Sequence, residues 1–212
     1  GLVRAGAALT RIDDVRAALT KLASAPANTS AKLALSKVLA SQGAVEEAAG
    51  IPVSLLQSDP GNVAALEQLA SILSDIGDAT RLEPVVARVV AEAPRNTWSH
   101  YYAGSLFFMQ NRLDMAVQAA RNSVGLDPAN AKAQNLLGAC LASLGQGDAA
   151  RAAFEASLKA DPREAGTYTN LATLELQSGN RARALQYFAE ALTVDPMSQS
   201  AREGLASLRA TP

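Results

Sequence analysis

Residues 131–164 read AKAQNLLGACLASLGQGDAARAAFEASLKADPRE, and residues 165–198 read AGTYTNLATLELQSGNRARALQYFAEALTVDPMS. The second line answers the first. Leu137 is matched by Leu171, Gly145 by Gly179, Ala150 by Ala184, Phe154 by Phe188, and Asp161-Pro162 by Asp195-Pro196, each 34 residues on. A period of this length marks a solenoid, in which each repeat is one supersecondary unit that cannot bury its apolar face alone and so stacks on its neighbours.

The lattice extends outward in both directions. Pro26, Pro60, Pro94, Pro128, Pro162 and Pro196 are 34 residues apart and account for six of the nine prolines. Proline lacks the amide hydrogen and clashes with the turn before it, so it stops a helix at a fixed point in each unit. A second column is Gly43, Gly77, Asn111, Gly145 and Gly179. Glycine is the usual residue at a left-handed helix C-terminus, and asparagine is its commonest substitute. One helix therefore ends at the glycine column and a second ends before the proline. The fold expected is all-α, a right-handed α-solenoid of tandem helix-turn-helix repeats.

The units divide as 29–62, 63–96, 97–130, 131–164 and 165–198, with a partial repeat or cap at 1–28 and a capping helix at 199–212. In the first segment Thr10 and Asp13 resemble a capping box, and Ile12, Val15, Leu19 and Leu22 follow on one helix face. Leu2–Leu9 reads as the stub of an earlier helix, although Leu9 stands where the glycine column would put its turn. In 29–62, Pro52 falls inside the second helix, which predicts a late start, a kink or a break near Ile51-Pro52. Pro84 reads as lying near the start of its second helix, where a first-turn proline is tolerated. Leu205 and Leu208, with Arg202, Glu203 and Arg209 around them, read as a final amphipathic helix closing the stack. The chain opens Gly-Leu-Val inside a unit rather than at methionine, which reads as a piece of a longer protein.

Composition narrows the function. Nineteen basic residues against twenty acidic give a net charge of −1, with no basic run, which disfavours nucleic acid or an anionic membrane as partner. No apolar run approaches a membrane span. The single cysteine rules out an internal disulfide. Compartment is left undetermined.

These columns resemble the tetratricopeptide repeat family. Its pattern sets Leu-Gly, Ala, Phe and Pro at fixed offsets with two aromatics. Leu137-Gly138, Ala150, Phe154 and Pro162 match in one unit, and Tyr168, Leu171, Ala184, Phe188 and Pro196 in the next. Gln134 departs at the first aromatic position, Leu141 and Glu175 at the second, and Pro52 and Val86 at the Phe position. Phe154 and Phe188 are the expected interior anchors. The resemblance implies a fold that binds proteins or peptides and rarely does chemistry.

It also implies where a ligand lies. Counting from Thr29, Val63, Thr97, Ala131 and Ala165, positions 2, 5, 6, 9, 12 and 13 fall on the arc of the first helix that lines the family's inner groove. In the third unit these are Trp98, Tyr101, Tyr102, Ser105, Phe108 and Met109. The other units carry small or polar groups there: Ser30 and Lys37; Glu67, Gln68 and Asp75; Lys132 and Asn135; Thr169, Asn170, Thr173 and Gln177. An aromatic patch rimmed by polar groups reads as a partner surface, with packing against a neighbouring repeat and self-association as a homo-oligomer the other readings. Trp98, Tyr101 and Phe108 would anchor apolar side chains of a peptide. Asn135 and Asn170 would bond its backbone, because a carboxamide both donates and accepts. The family's lysine-and-asparagine clamp for a terminal carboxylate is not formed, since Lys37 and Lys132 are three units apart with Glu67 and Asp75 between.

No catalytic set is legible. His100, the one histidine, reads as a packing residue, and alone it supplies neither a zinc site nor a Ser-His-Asp set. Cys140 shares its helix position with Val38, Ile72, Leu106 and Leu174 and reads as a small buried apolar group. Gly145-Gln-Gly147 is a hairpin turn rather than a phosphate loop, and Glu46-Glu47 suit a solvated first turn. No cofactor is expected. The leading function is a non-catalytic protein- or peptide-binding scaffold. The alternatives are a substrate-presenting module of a larger enzyme, such as a glycosyltransferase, and a self-assembling adaptor.

Overall fold

A computed structural model describes residues 2–25 and 28–210, with side chains from Arg11 to Leu208. Pro26 and the last two residues lie outside the described residues. The described residues form helices and no strand. They are α1 Leu2–Ala23, α2 Thr29–Ser41, α3 Val45–Ser58, α4 Val63–Asp75, α5 Ala79–Glu92, α6 Thr97–Met109, α7 Leu113–Leu126, α8 Ala131–Ser143, α9 Gly147–Ala160, α10 Ala165–Gln177, α11 Arg181–Val194 and α12 Gln199–Ala210. The architecture is an all-α solenoid of helical repeats. Two compact units are present, Gly1–Pro94 and Arg95–Pro212.

Within each unit every helix packs on the next in sequence, and α2 also meets α4. In the second unit α6 meets α8, α8 meets α10 and α10 meets α12, so the first helices of successive hairpins form one layer.

The turn between the two helices of a hairpin is the same each time. Gly43, Gly77, Gly145 and Gly179 take φ between +72 and +79°, and Asn111 takes +56°. The left-handed residue sends the next amide back onto the helix just ended. Ala44, Asp78, Arg112, Gln146 and Asn180 donate to the carbonyls of Leu39, Leu73, Phe107, Leu141 and Glu175 at 2.8–3.0 Å. This is a Schellman closure, which satisfies carbonyls that the helix end would leave orphaned.

The other end of each hairpin is closed from the residue before the proline. Asp59, Asp127, Asp161 and Asp195 are extended, with φ between −125 and −143°, because proline excludes the helical region for its predecessor. Asp127, Asp161 and Asp195 then accept from the amides two residues on at 2.8–3.0 Å, spanning the proline. Asn28, Asn62, Asn96 and Asn130 cap the helices that follow, accepting from Ala31, Ala65, Trp98 and Ala133.

The expected anchors lie in the core, Phe154 at 1% and Phe188 at 3% exposure. Phe154 rests on Gly138, where an added Cβ would meet its ring at 2.5 Å. Phe188 rests on Gly204 of α12, where a Cβ would come within 2.3 Å. Only a residue without a side chain lets the ring come so close to the neighbouring helix.

Three expectations are corrected, the first being Pro84, which is the sixth residue of α5 and lies inside that helix rather than in its first turn. α1 is one continuous helix across Leu9 and Thr10, not a stub followed by a new N-terminus. With leucine in place of glycine, no residue there readily takes the left-handed conformation that turns the chain. α3 also runs unbroken through Pro52 and starts and ends in register with the other second helices, so the late start and the break do not form. Pro52 cannot donate to the Ala48 carbonyl, four residues earlier. The buried Ser36 hydroxyl of α2 donates to that carbonyl instead, at 2.7 Å, so the missing bond is replaced from the partner helix.

Ser36→Ala should therefore destabilise the unit by about 1–3 kcal/mol, the cost of a buried carbonyl left without a partner. In a Pro52→Ala background the helix supplies its own donor, and the same change should cost less than about 1 kcal/mol. Equal costs in the two backgrounds, read by urea unfolding, would show that the serine plays no such part. Phe154→Ala should cost about 3–5 kcal/mol in the same assay.

Candidate functional site

The aromatic helix α6 opens at Asn96, whose side chain accepts from the Trp98 amide at 2.8 Å, and closes at left-handed Asn111. Spacing by three and four residues puts Trp98, Tyr101 and Tyr102 on one face. Trp98 lies 5.5 Å from Tyr101, edge to face, and 6.1 Å from Tyr102, stacked; the two tyrosine rings are 5.2 Å apart at 70°.

The cluster is less open than its sequence suggests. Tyr102 and Ser105 are buried, at 5% and 8% exposure, and Trp98, Tyr101, Phe108 and Met109 are half-buried. Tyr102 is flanked on its own helix by both other rings. Phe107 and Phe108 pack on a core built from Val117, Leu141, Phe154 and Leu171, and the Arg112 guanidinium sits 4.8 Å above the Phe107 ring.

On the next two first helices, Asn135 of α8 and Asn170 of α10 are brought together. Asn170 Nδ2 donates to Asn135 Oδ1 at 2.8 Å. Among the described residues the Asn135 amino group and the Asn170 carbonyl oxygen make no other hydrogen bond, so the pair presents a donor and an acceptor together. Lys132 is exposed at the start of α8.

His100 is half-buried. Cys140 is fully buried, and burial pushes its thiol up to about 12, so it carries no thiolate at neutral pH. Glu46 and Glu47 are exposed as expected, but they do more than suit a helix dipole: Glu46 takes a bidentate contact from Arg81 at 3.1 and 3.2 Å, and Glu47 lies 3.5 Å from Arg16. Among the described residues no group of three or more His, Cys, Asp or Glu could hold a metal, and no helix is long and apolar enough to cross a membrane.

The sequence reading missed the role of Glu175. It stands at a family aromatic position, fully buried, with Arg151 of α9 and Asn180 bonded to its two carboxylate oxygens and Arg183 at 3.9 Å. Burial pushes the carboxyl up, but the Arg151 and Asn180 hydrogen bonds outweigh it and hold the group below its ordinary value. The signal available was a glutamate inside an apolar column with arginines at 151 and 183 near it.

Comparison with known proteins fits this geometry. The tetratricopeptide repeat profile matches residues 103–165 and 169–211. The chain belongs to the tetratricopeptide repeat family. Protein O-mannosyl-transferase TMTC1 of Mus musculus is 29% identical over 144 residues, 66% of this chain and 15% of that protein. The chain thus spans about 15% of the length of this curated relative. Among solved structures, the tetratricopeptide repeat protein TTC0263 of Thermus thermophilus superposes with a TM-score of 0.76 at 22% identity, over 85% of this chain and 98% of that one. The Cut9 and Hcn1 hetero-tetramer gives a TM-score of 0.79 at 17% identity, over 94% and 40%. YrrB, a tetratricopeptide repeat protein described as having an unusual peptide-binding site, gives 0.52 at 20%, over 88% and 96%. At these identities the solved structures speak for the fold alone.

Because the folded carboxyl of Glu175 is held low, its contribution to stability is complete above the ordinary value of 4.5 and is lost as pH falls below it. Glu175→Leu should flatten that acid limb in urea unfolding measured across pH. Arg151→Ala should cost about 3 kcal/mol at neutral pH, since it leaves a buried carboxylate without its main partner.

Proposed function

We propose that this chain is a non-catalytic protein- or peptide-binding scaffold, whose unit Arg95–Pro212 holds its partner along the first helices α6, α8 and α10. The observation that carries the reading is the Asn135–Asn170 pair, with an unused donor and acceptor side by side. A peptide group satisfies both at once. Trp98, Tyr101, Phe108 and Met109 retain part of their apolar surface and serve as anchors for side chains of the same peptide, and Lys132 lies at the rim. Tyr102 and Ser105 support the cluster from within rather than touching the ligand. The near absence of uncompensated charge, −1 in all, favours an uncharged or mixed partner over nucleic acid.

A second reading is favoured by the match to the mouse mannosyl-transferase: a module that presents protein substrates to a catalytic domain of a larger enzyme. It uses the same surface and differs in what the bound peptide meets next.

Peptides selected by display against the folded chain, then titrated by calorimetry, test the reading. Trp98→Ala should weaken them by about 2 kcal/mol, as for a central aromatic anchor, and Asn170→Ala by about 1 kcal/mol. Selected peptides that bind the Trp98→Ala chain as tightly as the parent would remove the aromatic anchor.

A further inference from the structure

A cleft of about 520 Å³ lies between the second helices α9 and α11, within the unit Arg95–Pro212, and is lined by Arg151, Glu155, Arg183, Gln186, Tyr187 and Glu190. None of these residues belongs to a first helix. The charges are sorted by sign. Arg151 and Arg183 both approach the buried Glu175 and so stand together at one end. Glu155 and Glu190 follow them along α9 and α11 toward the other end. On α9 the pattern continues past the cleft. Asp148, Arg151, Glu155 and Lys159 alternate in sign, and at 3.6 residues per turn they fall within an arc of about 80° on one face.

Charges three and four residues apart on a helix ordinarily pair with one another. Here Asp148, Glu155, Lys159 and Glu190 are exposed and make no ion pair among the described residues. Arg151 bonds Glu175 through Nη1 and keeps its remaining N–H groups, while the Arg183 side chain is 65% exposed. The Tyr187 hydroxyl and the Gln186 amide make no hydrogen bond among the described residues either.

The row on α9 is its own complement when reversed. A second copy turned end for end, about an axis crossing α9 at Ala153, sets Arg151 over Glu155 of the second copy and Asp148 over Lys159 of the second copy, and each reciprocally. The α11 charges select the same level independently. The midpoint of Arg183 and Glu190 falls between Gln186 and Tyr187, and Tyr187 stands one 34-residue repeat beyond Ala153. One axis therefore matches opposite signs on both helices at once, whereas a parallel approach sets like over like. Ala152, exposed beside the row, is too small to hold two copies apart.

We propose that the α9–α11 face is a self-association surface, on which a second copy of this chain docks antiparallel about that two-fold axis. Exposed charges hold it, so the dimer is weak and salt-sensitive. The surface lies apart from the peptide-binding reading and does not depend on it.

Sedimentation equilibrium tests it. The chain should show a monomer–dimer equilibrium with a Kd of roughly 10 μM to 1 mM at low salt, rising about tenfold at about 0.5 M NaCl. Glu155→Arg and Glu190→Arg should each weaken the dimer about tenfold or more. Asp148→Lys and Lys159→Glu lie outside the Glu175 group and should each weaken it with little change in melting temperature. Mixed together, the Asp148→Lys and Lys159→Glu chains should dimerise more tightly than either alone, which damage to the fold cannot produce. Trp98→Ala should leave the dimer intact, so this surface and the aromatic one are told apart. A chain still monomeric at about 2 mM and low salt, a dimer that survives both Glu155→Arg and Glu190→Arg, a mixture no tighter than its separate chains, or a dimer lost on Trp98→Ala would overturn the proposal.

Discussion

The structure depends on one backbone constraint, a single residue per hairpin that can take a positive φ. At Gly43, Gly77, Asn111, Gly145 and Gly179 this conformation turns the chain and returns the next amide to the helix just completed. Once the turn is closed in this way, the second helix must start two residues later, so hairpins of different sequence have the same length. The region before Thr29 makes the case in reverse. Leucine stands at that column, and α1 runs on as one helix, with Ile12, Val15 and Leu22 on its surface.

Equal hairpins can tolerate unequal side chains because the backbone carbonyls at a given place are satisfied by whatever donor stands there. Gln134 and Tyr168 occupy equivalent positions, and both donate to the carbonyl of the preceding lattice proline, Pro128 and Pro162, at 3.2 Å. Arg202 makes the same contact with Pro196. Ser123 and Ser157 each donate from a second helix to the first residue of the hairpin, Thr97 and Ala131. Ser36 does for Ala48 what the amide of residue 52 would do if it were not proline. An amide, a phenol and a guanidinium are interchangeable here because each can present an N–H or O–H at one point in space.

The candidate surfaces follow from the same economy of positions. The residues that the hairpin does not need for closure or core are free to vary, and along the first helices they become rings in α6 and amides in α8 and α10. The Glu175 group shows the opposite case, in which a polar residue has entered the core and is kept there by Arg151 and Asn180. Its carboxylate braces α9, α10 and α11 and has no open face to offer a partner.

By itself the sequence determined the repeat, the helix boundaries set by glycine and proline, the two phenylalanine anchors and the buried Cys140, because periodicity and local backbone rules act over a few residues. Tertiary structure alone decided what covers what. It put Pro52 in an intact helix through a hydroxyl from α2, turned Tyr102 and Ser105 inward beside the exposed edges of Trp98 and Tyr101, and joined Asn135 to Asn170. The Ser36 and asparagine contacts depend on residues separated by 12 and 35 positions, where the direction and distance of a partner are set by packing and are not written in the spacing of either segment.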